Sequence, residues 1–513
     1  MISMKRSLVV LSFSAPLLLA SCAVPVGERA TSQDAASHSI VAGIESMLMR
    51  ICEIDGQPAG VDCDVEADAM ARNSVLEVNP DIMALATTLA QTSEPQGRLH
   101  GIPVMLKANI ETADQMTTTA GAHAMAGFQA KADATLVERL RASGALIAGK
   151  TNLSEWANFR SNDSISGWSG LGGQTRHALD PTRNPCGSSS GSAVAVALGI
   201  VPLAIGTETD GSIVCPASIN GIVGIKPTLG LVSRSGIIPL AHSQDTAGPM
   251  AKTVKEAALL LEVIAGHDVD DAMTKLIPDD ALPLDYALDT NALRGKRIGV
   301  LRSFYGSGEY DGVEQTYQAA LQRLVAAGAE LVDPIEIETE GMGDAEYAVL
   351  LYEFKADLNA YLATRDAPVA NLAEIIAFNA ANAGKTMPFF GQDILLAAEA
   401  TSDLSSTDYR DALVLSKKVA TEGLQGAFEG HDLDFIVAPT NGPAWKIDYE
   451  AGDRFTVGSS SLAAVSGFPS ITVPAGQTDG LPLGLSFIGK PWQDARLIEA
   501  AFAFEQTKPA TQE

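Results

Sequence analysis

Gly187-Ser-Ser-Ser-Gly-Ser192, Thr207-Glu-Thr-Asp-Gly-Ser-Ile213 and Gly224-Ile-Lys-Pro-Thr228 follow one another closely, with an apolar run at 193–205 between the first two. Small hydroxyls therefore sit on glycine-rich backbone at two separated points. Glycine permits turns and close approaches that side chains forbid, and it leaves backbone N–H groups free to face a ligand. The run 192–199 reads as a small-residue helix packed closely on a sheet, and 201–206 as a buried strand. Upstream, Lys107 ends the stretch Gly101-Ile-Pro-Val-Met-Leu-Lys107, directly after an apolar strand pattern at 102–106. A serine hydroxyl is a weak nucleophile until a base takes its proton. Lysine can be that base where burial or a neighbouring cation lowers its pKa. Lysine plus two serine-bearing loops is thus a set suited to acyl transfer, although a lysine at a strand end commonly just reaches solvent.

Working outward, 38–53 and 64–91 carry helical patterns, the second broken at Asn79-Pro80. Strands are expected at 102–106, 145–148, 201–206, 221–225, 296–301, 330–334, 435–438, 470–473 and 483–488, with 237–240 extended. Helices are expected at 134–142, 254–265, 313–327 and 496–506, and 341–430 reads as a helix-rich insertion. The stretch 267–291 is rich in Asp and Pro and reads as a surface excursion. Strands alternating with helices predict an α/β fold, a mixed β-sheet core covered by helices on both faces.

Composition narrows the partners. The formal charge is −27, from 35 basic and 62 acidic side chains. Such a surface repels nucleic acid and anionic lipid. The first residues have a basic start (Lys5, Arg6) and an apolar stretch at 8–20, ending in Leu19-Ala-Ser-Cys22. This is the arrangement of a secretory signal over 1–21, to be kept out of fold reasoning; a linker at 22–37 follows. Cys52 and Cys63 bracket a short loop, and Cys186 and Cys215 flank Ser188 and Ser212, so both pairs are candidate disulfides in an exported protein. No Cys or His spacing suits a metal, so neither a metal site nor a cofactor is expected.

The four motifs, in this order, resemble those of the amidase signature family: a lysine after G-I-P, then G-S-S-S-G, T-x-x-G-S-I and G-x-K-P-T. The resemblance runs from about residue 42 to 506, within a domain at 38–507 followed by a tail at 508–513. Lys150-Thr-Asn-Leu-Ser-Glu-Trp-Ala-Asn158, Asn162-Asp-Ser-Ile-Ser-Gly-Trp168 and Leu231-Val-Ser-Arg-Ser-Gly-Ile-Ile238 resemble the bacterial peptide amidase branch. The resemblance implies the amidase signature fold and a Ser–cisSer–Lys triad. In it Ser212 is the nucleophile, Ser188 the relay serine with a cis peptide bond, and Lys107 the terminal base. It further implies an oxyanion hole from the backbone N–H groups of Thr209, Asp210, Gly211 and Ser212, with Ser189 and Asp245 as supporting residues. Thr207 and Arg234 are candidates to orient the loops, and Trp156 and Trp168 lie near the family's substrate cleft. The implied activity is hydrolysis of carboxamide C–N bonds, foremost the C-terminal amide of peptides, giving a carboxylate and ammonia. The substrate partner is then a small-molecule or peptide amide. The last residues before Cys22 resemble a bacterial lipobox, which implies a lipid on Cys22 and attachment at the cell envelope, at the outer membrane in a Gram-negative source.

Two positions depart from the family pattern. Asp210 stands where many members have glycine, and Ala108 stands where many have aspartate beside the lysine. Several alternatives stay open. Aryl or aliphatic amides would suit the same machinery, since function depends on the cleft rather than the fold. A solute-binding lipoprotein would have similar composition, and amidotransferases that act on charged tRNA share the triad. Gly187-Ser-Ser-Ser-Gly191 also fits a G-x-S-x-G elbow with Ser189 as nucleophile, although Asn184-Pro185-Cys186 stands where that motif needs a strand.

Overall fold

A computed structural model describes residues 32–63, 70–92, 94–303 and 311–507. The signal segment 1–21, Cys22 and the tail 508–513 lie outside the described residues. Of the stretch read as a linker, 32–37 is described and opens the helix Ser32–Arg50.

In chain order the strands are β1 (Val75–Val78), β2 (Pro103–Lys107), β3 (Leu146–Thr151), β4 (Trp168–Ser169), β5 (Gly173–Gln174), β6 (Leu203–Glu208), β7 (Val223–Lys226), β8 (Thr246–Ala251), β9 (Arg297–Leu301), β10 (Glu330–Ile335), β11 (Phe435–Pro439), β12 (Ser470–Thr478) and β13 (Leu481–Ile488). Strands β4 and β5 form a separate hairpin. The other eleven form one sheet, ordered β1-β3-β2-β6-β8-β7-β12-β13-β11-β9-β10 among the described residues. Its middle, from β6 to β11, is antiparallel throughout. Parallel pairs flank that middle, β3-β2-β6 on one side and β11-β9-β10 on the other.

Side chains alternate across a strand, and the strands exploit both faces. Val104 and Leu106 of β2 and Leu203 and Ile205 of β6 point to a core shared with the helices Thr135–Ala142, Val254–Ile264 and Asp494–Glu505. Met105 and Ala204 point the other way, to a core shared with Ile82–Ala90, Ser190–Ala197 and Val214–Ile219. At the far end Ile436 and Ala438 of β11 pack on the helix Thr407–Gly430. The same period sends Lys107 to the face that carries Ser190–Ala197. Between β10 and β11 lies a run of helices, from Met342–Ala363 to Thr407–Gly430, which packs over the middle of the chain through Phe354, Leu358 and Leu362.

Two strands of the large sheet depart from the sequence-based expectation. Residues 75–78 lie inside a stretch expected to be helical, yet they form β1, antiparallel to β3. The Asp55 carboxylate accepts from the N–H groups of Ser74 (2.8 Å) and Val75 (2.6 Å), which fixes an extended entry, and the β-branched Val75 and Val78 suit it. Strand β8, Thr-Ala-Gly-Pro-Met-Ala, is not among the expected strands, and its glycine and proline are poor central-strand residues. It forms because Gly248 lies opposite Gly206 and lets three strands approach closely. A Cβ on Gly248 would lie 2.0 Å from the Ile225 carbonyl oxygen. The obstacle is backbone, so Gly248→Ala is expected to lower stability by about 2 kcal/mol or more, against about 1–3 kcal/mol for ordinary overpacking. An unchanged urea midpoint would refute this reading of the sheet.

Candidate active site

Lys107 is fully buried at the end of β2. Its ammonium nitrogen lies 2.7 Å from the Ser188 Oγ, 2.9 Å from the Thr207 Oγ1 and 3.0 Å from the Thr207 carbonyl oxygen. All three partners are uncharged. Burial pulls the amine down to about 7, while the more distant Asp245 and Glu208 pull the other way. Burial wins because no carboxylate touches the nitrogen. Ala108 is itself buried, its N–H donating to the Thr151 carbonyl (3.2 Å), so the position leaves Lys107 without an adjacent acid. Asn109 Nδ2 donates to the same Thr207 hydroxyl (3.0 Å).

The serine run lies in the loop that enters the helix Ser190–Ala197. The Gly187–Ser188 peptide is cis, and the Ser188 carbonyl accepts from Ser154 N–H (3.1 Å). Each serine has its own role. Ser188 faces Lys107. Ser189 locks β6 to the loop: its hydroxyl donates to the Thr207 carbonyl (3.0 Å) and accepts from the Thr207 N–H (3.2 Å). That hydroxyl is fully buried and spent on backbone, and no strand precedes it, so a nucleophile elbow at Ser189 is excluded. Ser190 donates to the Cys186 carbonyl (2.6 Å).

The loop carrying Ser212 is tied to this run twice. Ser189 N–H donates to the Ser212 carbonyl (3.1 Å), and Cys186 forms a disulfide with Cys215. Cys52 pairs with Cys63, so both candidate pairs are joined. Ser212 is 7% exposed. Around it, residues 209–214 are held by three side chains, one at the end of β6 and two from the loop that enters β8. Glu208 accepts from the N–H groups of Ile213 (2.7 Å) and Val214 (3.0 Å). Asp245 accepts from the Thr209 hydroxyl (2.6 Å) and from the N–H groups of Leu240 and Ala241; burial pushes its carboxyl up to about 6. Gln244 Nε2 donates to the Thr209 carbonyl (3.2 Å). Gly211 turns the chain with φ of +75°, a conformation side chains rarely adopt.

A cavity of about 210 Å³ opens against Asn109, Thr207, Thr209 and Ala157. Ile237 to Leu240 wall it, and ion pairs stand at its rim: Arg234 with Asp271 (2.5 Å) and His242 with Asp357 (2.9 Å). His242, Glu353 and Asp357 bring potential metal-binding atoms within 4.8 Å, but the Glu353 carboxylate already accepts from Tyr409 Oη and Ser243 N–H. Trp156 is buried in a core with Phe354, and Trp168 packs against Phe390. The structure thus brings Lys107, Ser188, Ser189, Thr209–Ser212 and Asp245 together. Glu208 and Gln244 join them without having been expected from sequence. Glu208 lies inside one of the glycine-rich motifs, whereas Gln244 carries no local signal.

Comparison with known proteins agrees with this geometry. The Amidase family model matches residues 66–498. A probable amidase of Arabidopsis thaliana is 39% identical over 448 residues, covering 85% of this chain and 83% of that one. One component of the glutamyl-tRNA(Gln) amidotransferase of Symbiobacterium thermophilum is 35% identical over 427 residues, covering 80% and 83%. Among solved structures, the peptide amidase of Stenotrophomonas maltophilia is 45% identical with a TM-score of 0.84, covering 94% of this chain and 99% of that one. A peptide amidase in complex with the competitive inhibitor chymostatin is 46% identical with a TM-score of 0.86, covering 95% and 99%. The mixed sheet flanked by helices, the buried lysine and the paired serine loops therefore have one common account: the chain belongs to the amidase family and is a hydrolase of carboxamide C–N bonds.

Proposed function

We propose that this amidase removes the C-terminal amide of peptides, with Ser212 as nucleophile, Ser188 as relay and Lys107 as terminal base. The observation that carries the substrate class is the likeness to two peptide amidase structures over nearly the full length of both chains. The contact that supports the base is the 2.7 Å approach of Lys107 Nζ to Ser188 Oγ. With the amine neutral, its lone pair faces the Ser188 hydroxyl, and its two N–H groups serve Thr207. Ser212 Oγ attacks the amide carbon as its proton passes to Ser188 Oγ and the Ser188 proton passes to Lys107 Nζ. Charge gathers on the substrate oxygen, where N–H groups of 209–212 stabilise it. The C–N bond then breaks, ammonia leaves with the proton returned through Ser188, and water releases the acyl group from Ser212. General aryl or aliphatic amides are the alternative substrates.

Ammonia release from C-terminally amidated peptides, beside simple amides, tests this. Ser212→Ala is expected to lower it by about 10⁴-fold or more. Turnover of simple amides alone would move the reading to a general amidase. Ligand binding with no turnover of any amide would overturn it.

The pH dependence has a definite sign. The base must start neutral, so kcat/KM should climb as pH rises through about 7, where burial holds Lys107. An optimum near pH ~5 would be incompatible with a lysine base at any shift of this kind.

We also propose export and lipid attachment at Cys22, supported by the residue pattern of 1–22 and by two disulfides, which persist in oxidising compartments. Fatty-acid labelling of the full chain should occur and should vanish in Cys22→Ser. An unlabelled wild type would refute it.

A further inference from the structure

Asp210 replaces the glycine of the family pattern in the run that carries Ser212, and its carboxylate is not solvated freely. Its Oδ2 accepts from Ser461 Oγ (2.6 Å), while its Oδ1 is buried and meets no donor. The group that stands against it is another carboxyl, that of Glu346, from the helix Met342–Ala363, which Gln244 ties to the neighbouring Thr209. Glu346 is buried as well. Ionised carboxylates only accept hydrogen bonds, so this contact is satisfied only when one of the two carries a proton. Glu346 also reaches the same loop by a second path: Gln244 Nε2 donates both to its Oε1 (2.8 Å) and to the Thr209 carbonyl (3.2 Å).

We infer that Glu346 and Asp210 share one proton, and that this acid–carboxylate pair holds the 209–212 backbone so that its N–H groups aim at the substrate oxygen. Glu346 is thereby a positioning residue that acts through Asp210 and Thr209. The role rests on Ser212 being the nucleophile, as proposed above. Loss of the shared proton leaves two like charges in contact within a buried site, which drives the helix and the loop apart.

Other charges face the pair. Lys417, from Thr407–Gly430, donates to the carbonyls of Ser243 (2.7 Å) and Val465 (2.6 Å). Lys226 lies at the end of β7 and Glu208 at the end of β6, both buried. Glu353 lies further along the helix of Glu346, beside Lys417. Burial, helped by the charge of Asp210, pushes the Glu346 carboxyl well above the usual carboxylate range. Burial also pulls Lys226 and Lys417 down to about 8 each, so a test must separate the acid from these two amines.

The amide variants do so. Glu346→Gln gives Asp210 a donor at every pH, and Asp210→Asn gives a donor to an ionised Glu346. The readout is the rate at which a fluorophosphonate ester modifies Ser212, forming an Oγ–P bond and releasing fluoride, from about pH 6 to about pH 10. This probe works whatever the amide substrate. The wild type is expected to rise with Lys107 and then fall on the alkaline side. Both amide variants should lack the fall, reacting at least about five-fold faster than wild type near pH ~9.5. Glu346→Ala, with no donor, should be about tenfold slower near neutrality, a fraction of the loss for deleting an oxyanion donor. Infrared spectra of the wild type should contain a protonated-carboxyl band that titrates away at alkaline pH and is missing in Glu346→Gln.

An alkaline fall that persists unchanged in both amide variants would assign it to Lys226 or Lys417 and overturn the inference. So would the absence of the infrared band. If Ser212 of the wild type is unmodified at every pH, the nucleophile assignment fails and the positioning role falls with it. The band reports on the shared proton separately.

Discussion

Burial of the Lys107 amine at the end of β2 is the constraint on which the rest of the site depends. A lysine among hydroxyls and a carbonyl, with no carboxylate in contact, is neutral at far lower pH than one in water. That state needs a wall of protein on every side. Strands β2 and β6 supply two sides, the serine loop a third and the helix Ser190–Ala197 the roof. The Thr207 hydroxyl and carbonyl that meet the amine are themselves held, by Asn109 Nδ2 and by the Ser189 hydroxyl. The lowered pKa of the lysine thus follows from the sheet's ability to bury a strand end completely.

The same economy explains the small residues. The serine run and the Ser212 loop meet through backbone contacts and one disulfide rather than through large side chains. Gly206 and Gly248 face each other where β6 and β8 pair. A side chain at Gly206 would meet Ser189, and one at Gly248 the Ile225 carbonyl of β7, so larger residues would disturb the serine loop that holds Thr207 and the pairing of β7 with β8. Packing deep in the sheet and the placing of Thr207 and Lys107 at its edge are therefore one problem, solved by minimal side chains.

Much of this is legible in the sequence because it is local. The apolar run before Lys107 announces a buried strand, the glycine-flanked serines announce close backbone approach, and the order of the motifs carries the family. The helices 135–142 and 254–264 follow their period with few competing signals. Strand β1 escapes such a reading because its valines fit a helical pattern until β3 and Asp55 hold them extended. Strand β8 escapes it because its glycine and proline argue against a strand unless two neighbours require closeness there.

The sequence by itself singled out Lys107, Ser188 and Ser212 and the loops that carry them, since those depend on residue type and spacing along short segments. Only the tertiary structure decided the surroundings that tune them: Thr207 as the second partner of Lys107, Glu208 and Gln244 bracing the Ser212 loop, and Glu346 against Asp210. Those partners lie up to 136 residues away along the chain, as Glu346 does from Asp210. No local pattern encodes such pairings, because they arise where the sheet order and the packed helices bring distant side chains into a low-dielectric space. The motif names the family; the burial that pulls the lysine down exists only in the folded chain.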